Sequence, residues 1–487
     1  MPAERYAPAI HGRDHPAMSS AEATAPLPGF WATIRSALRG VEHDYTAGPI
    51  GRAILLLSVP MVLEVALESV FAITDIFFVS RLGAEAVAAV GLTESLLAIV
   101  YALAMGLGMG ATAVVARRIG EKDPEAAAES AVQAVFLALA VSLVLGIAGF
   151  LLAPRLLVLM GASPEVVRVG LGYTRIMLGG EVAIIVLFVV NAVFRGAGDP
   201  AIAMRVLWLA NAINIVLGPL LIFGVGPLPE LGVTGAAVAT TTGRSIGAAF
   251  ALWWLGRRGG HFRVTTKHLR LNPAVMRQIV SLSGLATLQT LVGTASWLGL
   301  VRIVATFGDD ALAGYTVAIR VVIFAILPAW GLSNAAATMV GQGLGAGKPD
   351  RAERAVWKAC QYNFAFLGVM GLAFLLFAGP ILRVFTGDPE VLRYGTACLR
   401  IVAAGFPLFA LGMVLTQSFN GAGDTWTPTW INLGVFWAFE IPLAWFLAGP
   451  MGMGPSGAFL SVSIAFSMLA LVSGLIFRQG RWKARQV

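Results

Sequence analysis

Three acidic side chains lie inside one hydrophobic run of the sequence. The run EVALESVFAITDIFFVSR occupies residues 64–81 and contains Glu64, Glu68 and Asp75. On an α-helix, which advances about 100° per residue, the three carboxylates fall within about 40° of one another and share one face. A carboxylate at bilayer depth is costly unless it lines a water-filled cavity, binds a cation or carries a proton. The pattern indicates cation or proton chemistry; the alternative is side chains that snorkel or form hydrogen bonds between helices.

Further polar residues interrupt other apolar runs. Asn211 and Asn214 lie in the run LANAINIVLGPLLIFG, where an asparagine needs a polar partner such as a carboxyl group on the helix of residues 64–81. Glu181 and Glu440 are acids within apolar segments. We treat Glu64, Asn211, Glu181 and Glu440 as possible substrate or gating contacts. For Glu440, a hydrogen bond to a neighbouring helix is the alternative.

The composition indicates which structure must position these residues. Of the 487 residues, 57% are hydrophobic and 12% are charged, which is typical of a polytopic membrane protein. The net charge of +8 comes from basic residues in short loops between apolar runs, so we expect no nucleic-acid partner. The two cysteines, Cys360 and Cys398, lie in or beside different apolar segments, and no histidine lies at membrane depth. We therefore expect no disulfide, no resident cofactor and no resident metal, and we do not expect an enzyme, because clustered aspartates for Mg²⁺ or a membrane-face histidine would then be needed.

Twelve apolar segments follow Arg52, each long enough to cross a hydrocarbon core of about 30 Å at about 1.5 Å per residue. The predicted segments are 53–80, 88–116, 127–153, 166–194, 200–224, 233–256, 274–307, 311–341, 354–378, 391–419, 427–449 and 455–477. Basic residues concentrate in alternate loops, which predicts a multi-pass protein of the cell inner (plasma) membrane with both termini in the cytoplasm. Arg195 is assigned to a cytoplasmic loop, and Arg244, within the sixth segment, is expected to reach an interface.

An internal repeat divides these segments into two halves. The motif FRGAGD at 194–199 returns as FNGAGD at 419–424, and two weaker motifs recur at nearly the same spacing. The predicted fold class is all-α: twelve transmembrane helices in two six-helix lobes, related by a pseudo-two-fold axis along the membrane normal. The predicted domains are a cytoplasmic N-terminal tail (1–50), a first lobe (51–257), a basic cytoplasmic inter-lobe loop (258–272), a second lobe (273–478) and a cytoplasmic C-terminal tail (479–487). Within the first tail, residues 30–38 either form a short helix on the inner leaflet or belong to a weakly ordered segment.

The repeat does not extend to the charges. At the second-lobe positions that correspond to Glu64, Glu68 and Asp75, the sequence has Gln289, Gly293 and Leu300. The two lobes therefore share a scaffold, whereas the buried acids are concentrated in the first lobe.

Several motifs together resemble the multidrug and toxic compound extrusion (MATE) family. They are LSVPMVLEVALESVFAITDIFFVSRLG, GLGMGATAVVARRIGEKD, FRGAGDP, NAINIVLGPLLIFG with GVTGAAVAT, and FNGAGDT, and the resemblance covers about residues 51–478. It implies a two-lobed antiporter that exports organic, often cationic, compounds in exchange for protons or sodium. Asp75 matches the first-helix acid that carries the coupling cation, and Asn214 matches the asparagine of an Asn-x-x-x-Asp pair. The aspartate of that pair is replaced by Gly218, and a seventh-helix acid known from another branch is replaced by Gly293.

The mechanism that we expect is alternating access by rocking of the two lobes, with Asp75 and Glu68 as the exchange site. By hypothesis, Glu68 takes over part of the role of the carboxylate missing at Gly218. The coupling ion is H⁺ or Na⁺, with Na⁺ possible at Asp75 and Asn214, and two nearby carboxylates favour the proton. The expected partners are small-molecule drugs or metabolites and the lipid bilayer, with the protein as a monomer.

The alternative function is a flippase for lipid-linked or glycan precursors on the same general architecture. A cavity that holds a pyrophosphate should be basic, whereas the first lobe is rich in acids.

Overall fold

The computed structural model shows an all-α protein. It describes residues 29–40, 43–257 and 262–485; the predictions for 1–28 of the first tail, 258–261 of the inter-lobe loop and 486–487 of the last tail lie outside the described residues. The helices are α1 Phe30–Arg39, α2 Ile50–Val79, α3 Ala84–Gly120, α4 Pro124–Leu159, α5 Pro164–Gly179, α6 Glu181–Ala197, α7 Pro200–Phe223, α8 Val233–Gly256, α9 Pro273–Ala305, α10 Asp309–Gly345, α11 Pro349–Arg383, α12 Pro389–Ala404, α13 Phe406–Gly421, α14 Trp426–Asn432, α15 Ile441–Ala448 and α16 Pro455–Arg478.

These helices form twelve spans in two lobes, which confirms the predicted fold class. Among the described residues, ten spans are long and apolar enough to cross a membrane by themselves, and the bent pair α12 and α13 adds an eleventh. The remaining span is α8, which is 24 residues long but carries Thr240 and Arg244 on its buried side. The first lobe contains α2 to α8, and the second contains α9 to α16.

Two of the predicted spans are broken at equivalent positions of the repeat. The fourth span divides at Gly180 into α5 and α6, and the tenth bends by 55° at Gly405 between α12 and α13. A Cβ atom at Gly180 would lie 2.6 Å from the Thr241 side chain, and one at Gly405 would lie 2.9 Å from Ser463 Cα. Each break therefore occurs where a helix crosses its neighbour too closely for any side chain.

The lobes meet mainly along three helix pairs, α3 with α9, α2 with α10 and α3 with α10. Glycines permit the approach: a Cβ atom at Gly110 would lie 3.0 Å from the Ile279 carbonyl oxygen, and one at Gly331 would lie 2.9 Å from the Val62 backbone nitrogen. Close backbone contact of this kind is the usual way in which transmembrane helices associate.

One end of the molecule holds the lobes together through hydrogen bonds. Thr338 Oγ1 donates to the Arg195 carbonyl oxygen (3.2 Å), and Gln342 Nε2 donates to the Gly196 carbonyl oxygen (3.0 Å). The turn that these bonds use depends on Gly198, whose φ of +92° favours glycine. All hydrogen bonds between the two lobes that the described residues form lie in this half of the molecule. We call it the closed end.

The chain segments that flank the lobes add to the closed end. Residues 43–48, which we call the N-terminal segment, bond to both lobes: Tyr45 Oη donates to the Gly198 carbonyl oxygen (3.0 Å), and Lys348 Nζ donates to the Thr46 carbonyl oxygen (3.0 Å). At the other terminus, Arg117 Nη2 donates to the Arg485 carbonyl oxygen (3.0 Å). Arg485 Nη2 also lies 3.2 Å from Asp424 Oδ1 of the second lobe, so the N-terminal segment and Arg485 each contact both lobes.

Candidate functional site

A cavity of about 190 Å³ lies between the lobes above the closed end. The first lobe contributes Glu64 and Glu68 from α2 and Arg195 from α6. The second lobe contributes Trp330 from α10 and Gln417 from α13. We call this the central cavity; it combines apolar walls with charged and amide groups.

Glu64 lines the central cavity as one half of an ion pair. Its Oε1 lies 2.7 Å from Arg195 Nη1, and both side chains are mostly buried. Arg195 precedes the glycine turn whose carbonyl oxygens accept bonds from the second lobe, so the pair lies against the lobe interface. The sequence-based assignment of Arg195 to a loop is wrong, because the residue lies on α6 and lines the cavity.

Glu68 belongs to a polar network inside the first lobe. Arg244 Nη2 donates to Glu68 Oε1 at 3.1 Å, and Arg244 Nη1 donates to Tyr101 Oη at 2.9 Å. Asn211 Nδ2 donates to Glu68 Oε2 at 3.0 Å. The guanidinium carbon also lies 5.8 Å from the centroid of the Phe71 ring and 5.6 Å from that of Tyr101. Arg244 is 5% exposed and therefore lies inside the first lobe. The expectation that its side chain reaches the membrane–water interface is wrong.

Asp75 lies about two helical turns beyond Glu68 on α2. It belongs to the first lobe and does not line the central cavity. It is half-buried and within electrostatic reach of Glu94 and Arg244. Tyr173 of α5 also lies within reach of its charge. Among the described residues, no hydrogen bond or ion pair is formed by the Asp75 carboxylate, in contrast to Glu64 and Glu68.

Asn214 is buried and has a different partner. Its Nδ2 donates to Thr240 Oγ1 of α8 at 2.6 Å. A Cβ atom at Gly218 would have Asn214 Oδ1 as its nearest neighbour, at 4.0 Å, so the position of the absent aspartate is open space beside the amide. In the described part of the chain, no hydrogen bond joins Asn214 to Asp75, and no cluster of three or more histidine, cysteine or acidic residues could hold a metal ion.

Glu181 and Glu440 do not line the central cavity. Glu181 is the first residue of α6; it is buried, and its Oε2 has no hydrogen-bond partner among the described residues. Glu440 ends an eight-residue π-helix, Leu433–Glu440, in the second lobe, where it is 2% exposed. The structure thus separates the seven predicted site residues into a first-lobe group and one distant second-lobe acid.

Arg244 and Tyr101 are the residues that sequence reasoning missed. The available signal was an arginine in the most polar of the twelve spans, flanked by threonines and serine. A span that retains such a residue at membrane depth must face protein or water, and a buried arginine requires an acidic partner.

Comparison with known proteins places this arrangement in a family. The MatE family model matches residues 60–220 and 287–446, one segment in each lobe. The probable multidrug resistance protein NorM of Thermotoga maritima is 26% identical over 90% of this chain and 94% of its own length. The FAD transporter of Shewanella oneidensis is 26% identical over 83% of this chain and 89% of its own.

A solved structure of a multidrug resistance MATE family transporter of the MOP superfamily, in an outward-facing conformation, aligns with a TM-score of 0.84 and 27% identity. The alignment covers 90% of this chain and 97% of that one. Because the two segments of the family model together span more than half of the sequence, the protein belongs to the MATE family of multi-pass membrane transporters and is not an enzyme.

Proposed function

We propose that the protein exports organic, mainly cationic and amphipathic compounds in exchange for protons or Na⁺. The observation that supports this most is the difference between the three acids of α2: Glu64 and Glu68 are each paired with an arginine, whereas Asp75 has no ion-pair partner among the described residues. An acid without a fixed counter-charge is free to exchange one cation for another. The named functions of relatives, which include multidrug resistance and multidrug export, agree with a drug as cargo.

Arg244 is the link between Asp75 and the substrate path. Its guanidinium bonds to Glu68, which lines the central cavity, and its charge also acts on Asp75. When a proton or Na⁺ is bound to Asp75, the guanidinium of Arg244 interacts with the carboxylate of Glu68 alone. When no cation is bound, the charged carboxylate of Asp75 competes with Glu68 for Arg244. Coupling thus passes from the ion site to the cavity through one cationic side chain.

The closed end carries the basic residues Arg117, Arg195, Lys348 and Arg351, which the distribution of positive charge assigns to the cytoplasm. We therefore assign the described state to the outward-facing half of an alternating-access cycle, with both termini in the cytoplasm and the protein acting as a monomer.

The test is transport of ethidium in proteoliposomes with a pH gradient or a Na⁺ gradient imposed alone. We expect one gradient to drive ethidium movement, and Asp75→Asn to abolish that movement without changing the thermal unfolding temperature. Asp310→Asn is the matched control, because Asp310 is an exposed acid at the start of α10. Undiminished coupled transport by Asp75→Asn would contradict the proposal.

An anionic cargo is the second candidate. Arg195 lines the central cavity, the two acids in the cavity are each paired with an arginine, and one relative is named an FAD transporter. Flavin movement in the same proteoliposomes distinguishes the candidates. Loss of flavin transport in Arg195→Gln, with no ethidium transport by the native protein, would support the anion.

A further inference from the structure

The second lobe has a cavity of its own, of about 570 Å³, that the residues of α2 do not reach. Aromatic side chains make up much of its wall, including Trp297, Tyr315, Phe409 and Phe436, and no lysine or arginine is among the described residues that line it. Met109, Trp330 and Gln417 line both this cavity and the central cavity, so the two adjoin. We call it the second-lobe cavity.

Two polar groups in this wall are buried without partners. Gln289 is 7% exposed and Tyr315 is 2% exposed. Neither Gln289 Oε1 nor Tyr315 Oη has a hydrogen-bond partner among the described residues. The Tyr315 ring is fixed by stacking on Phe459, with centroids 6.0 Å apart and an interplanar angle of 12°. A buried acceptor without a partner is costly, and a bound donor group would satisfy it.

An acidic side chain lies within electrostatic reach of Tyr315. Glu440 is within electrostatic reach of the Tyr315 side chain, is itself 2% exposed, and forms no ion pair in the described part of the chain. It ends the π-helix Leu433–Glu440, a deviation from regular helix that is found mostly at functional sites. The π-helix packs against α9, which carries Gln289.

We propose that the second-lobe cavity binds a flat, hydrophobic organic cation with N–H donors, held by the aromatic walls and by Gln289 Oε1 and Tyr315 Oη, with the carboxyl group of Glu440 close to the site. Aromatic faces attract cations when water is excluded, and a bound cation favours the ionised form of a nearby carboxyl group. The inference rests on the proposed export of organic cations and adds that the substrate and the coupling ion occupy different lobes. Substrate and ion would then not compete for one carboxylate, and the central cavity, which Glu68 of the Arg244 pair lines and which adjoins the second-lobe cavity, lies between them.

The probe is ethidium, whose binding to the purified protein in detergent is followed by fluorescence. Glu440→Gln keeps the shape of the side chain and removes its charge, and we expect it to weaken ethidium binding by about tenfold or more. Tyr315→Phe should weaken binding to a smaller extent. Asp310→Asn, at an exposed acid outside both cavities, should bind ethidium as the native protein does.

A second variant tests the cavity without touching the acid. Gly293 lines the cavity, and a Cβ atom there would meet no atom within 4 Å, so the side chain of Gly293→Phe starts in open space and can extend into the cavity. We expect it to abolish ethidium binding. Gly368→Phe is the matched control, because Gly368 also has open space around it but does not line the cavity.

The two proposals fail in different ways. Native-like ethidium affinity in Gly293→Phe would overturn the second-lobe site, and this variant decides alone if Glu440→Gln does not fold. Loss of ethidium binding in Asp75→Asn, with Glu440→Gln unaffected, would place the substrate in the first lobe and also overturn it. Absence of ethidium transport under either gradient would instead reject the proposed function and leave the binding result standing.

Discussion

At the scale of single residues, the first lobe is organised by two arginines that neutralise two of its acids. Arg195 and Arg244 pair with Glu64 and Glu68, and the third acid of the same helix, Asp75, is left without an arginine at hydrogen-bond distance. A buried ion pair contributes little net stability, but loss of one partner leaves an uncompensated charge in a low-dielectric environment. Under the proposed function, the pairs leave Asp75 as the acid of α2 that is available to a mobile cation.

We expect Arg244→Gln to destabilise the protein by about 3 kcal/mol, because Glu68 then keeps its charge without a counter-ion. The double variant Glu68→Gln/Arg244→Gln removes both charges and should regain most of that loss. The measurement is thermal unfolding of the purified variants in one detergent. Equal unfolding temperatures for the single variant and the native protein would show that the pair does not act as described.

At the scale of helices, glycines decide where the lobes touch. Gly331 of α10 faces the backbone of α2, with Val62 N and Met61 O at 2.9 and 3.1 Å from a Cβ atom built on it. A backbone neighbour cannot move aside as a side chain can, so any larger residue must separate the two helices.

Gly331→Leu should therefore force α2 and α10 apart and reduce ethidium transport severely, with a loss of stability of about 1–3 kcal/mol from overpacking. The matched control is Gly284→Leu on α9, where a Cβ atom would meet no atom within 4 Å. Both substitutions raise helix propensity equally, so only the contact differs. Similar transport by the two variants would argue against a role for this contact.

At the scale of the whole molecule, hydrogen bonds from the N-terminal segment stabilise the closed end in addition to the direct hydrogen bonds between the lobes. Arg351 of α11 donates to the carbonyl oxygens of Tyr45 (3.1 Å) and Gly48 (2.8 Å), while Tyr45 itself bonds to Gly198 in the first lobe. The segment must detach from at least one lobe before the closed end can open.

Acidification should loosen the N-terminal segment. His43 lies beside Tyr45, with ring centroids 5.8 Å apart, and burial, followed by the charge of Arg52, lowers the pKa of His43 below its ordinary value of 6.5. The docked segment thus favours the neutral form of His43, because its pKa is lower in the docked state than in the undocked state. Docking is therefore complete above about pH 6.5. It weakens as the pH falls below that value, because the undocked histidine takes up a proton before the docked one does.

The readout is maleimide labelling of Thr46→Cys, a buried position of the segment. We expect labelling, expressed relative to that of the same cysteine in the unfolded protein at the same pH, to rise as the pH falls below about 6.5, and we expect the rise to disappear when His43→Phe is added. Arg351→Ala should increase labelling at every pH, since it removes bonds that do not titrate. Labelling that is independent of pH in the Thr46→Cys protein would contradict the role of His43.

The architecture follows from the amino-acid sequence alone, because each span is a local property. A run of apolar residues predicts a helix at bilayer depth wherever it occurs, and the recurrence of FRGAGD as FNGAGD predicts two equivalent halves. The acids of α2 were also evident, since a carboxylate in an apolar run is costly in any fold.

The partners of those acids depend on how the helices pack in three dimensions. Arg195 and Arg244 lie more than a hundred residues from Glu64 and Glu68 along the chain, and no helical spacing relates residues on different helices. The breaks at Gly180 and Gly405 were likewise missed, because they depend on Thr241 and Ser463 of neighbouring helices. Charge pairing and close packing act through space, so they become visible only when the helices are assembled.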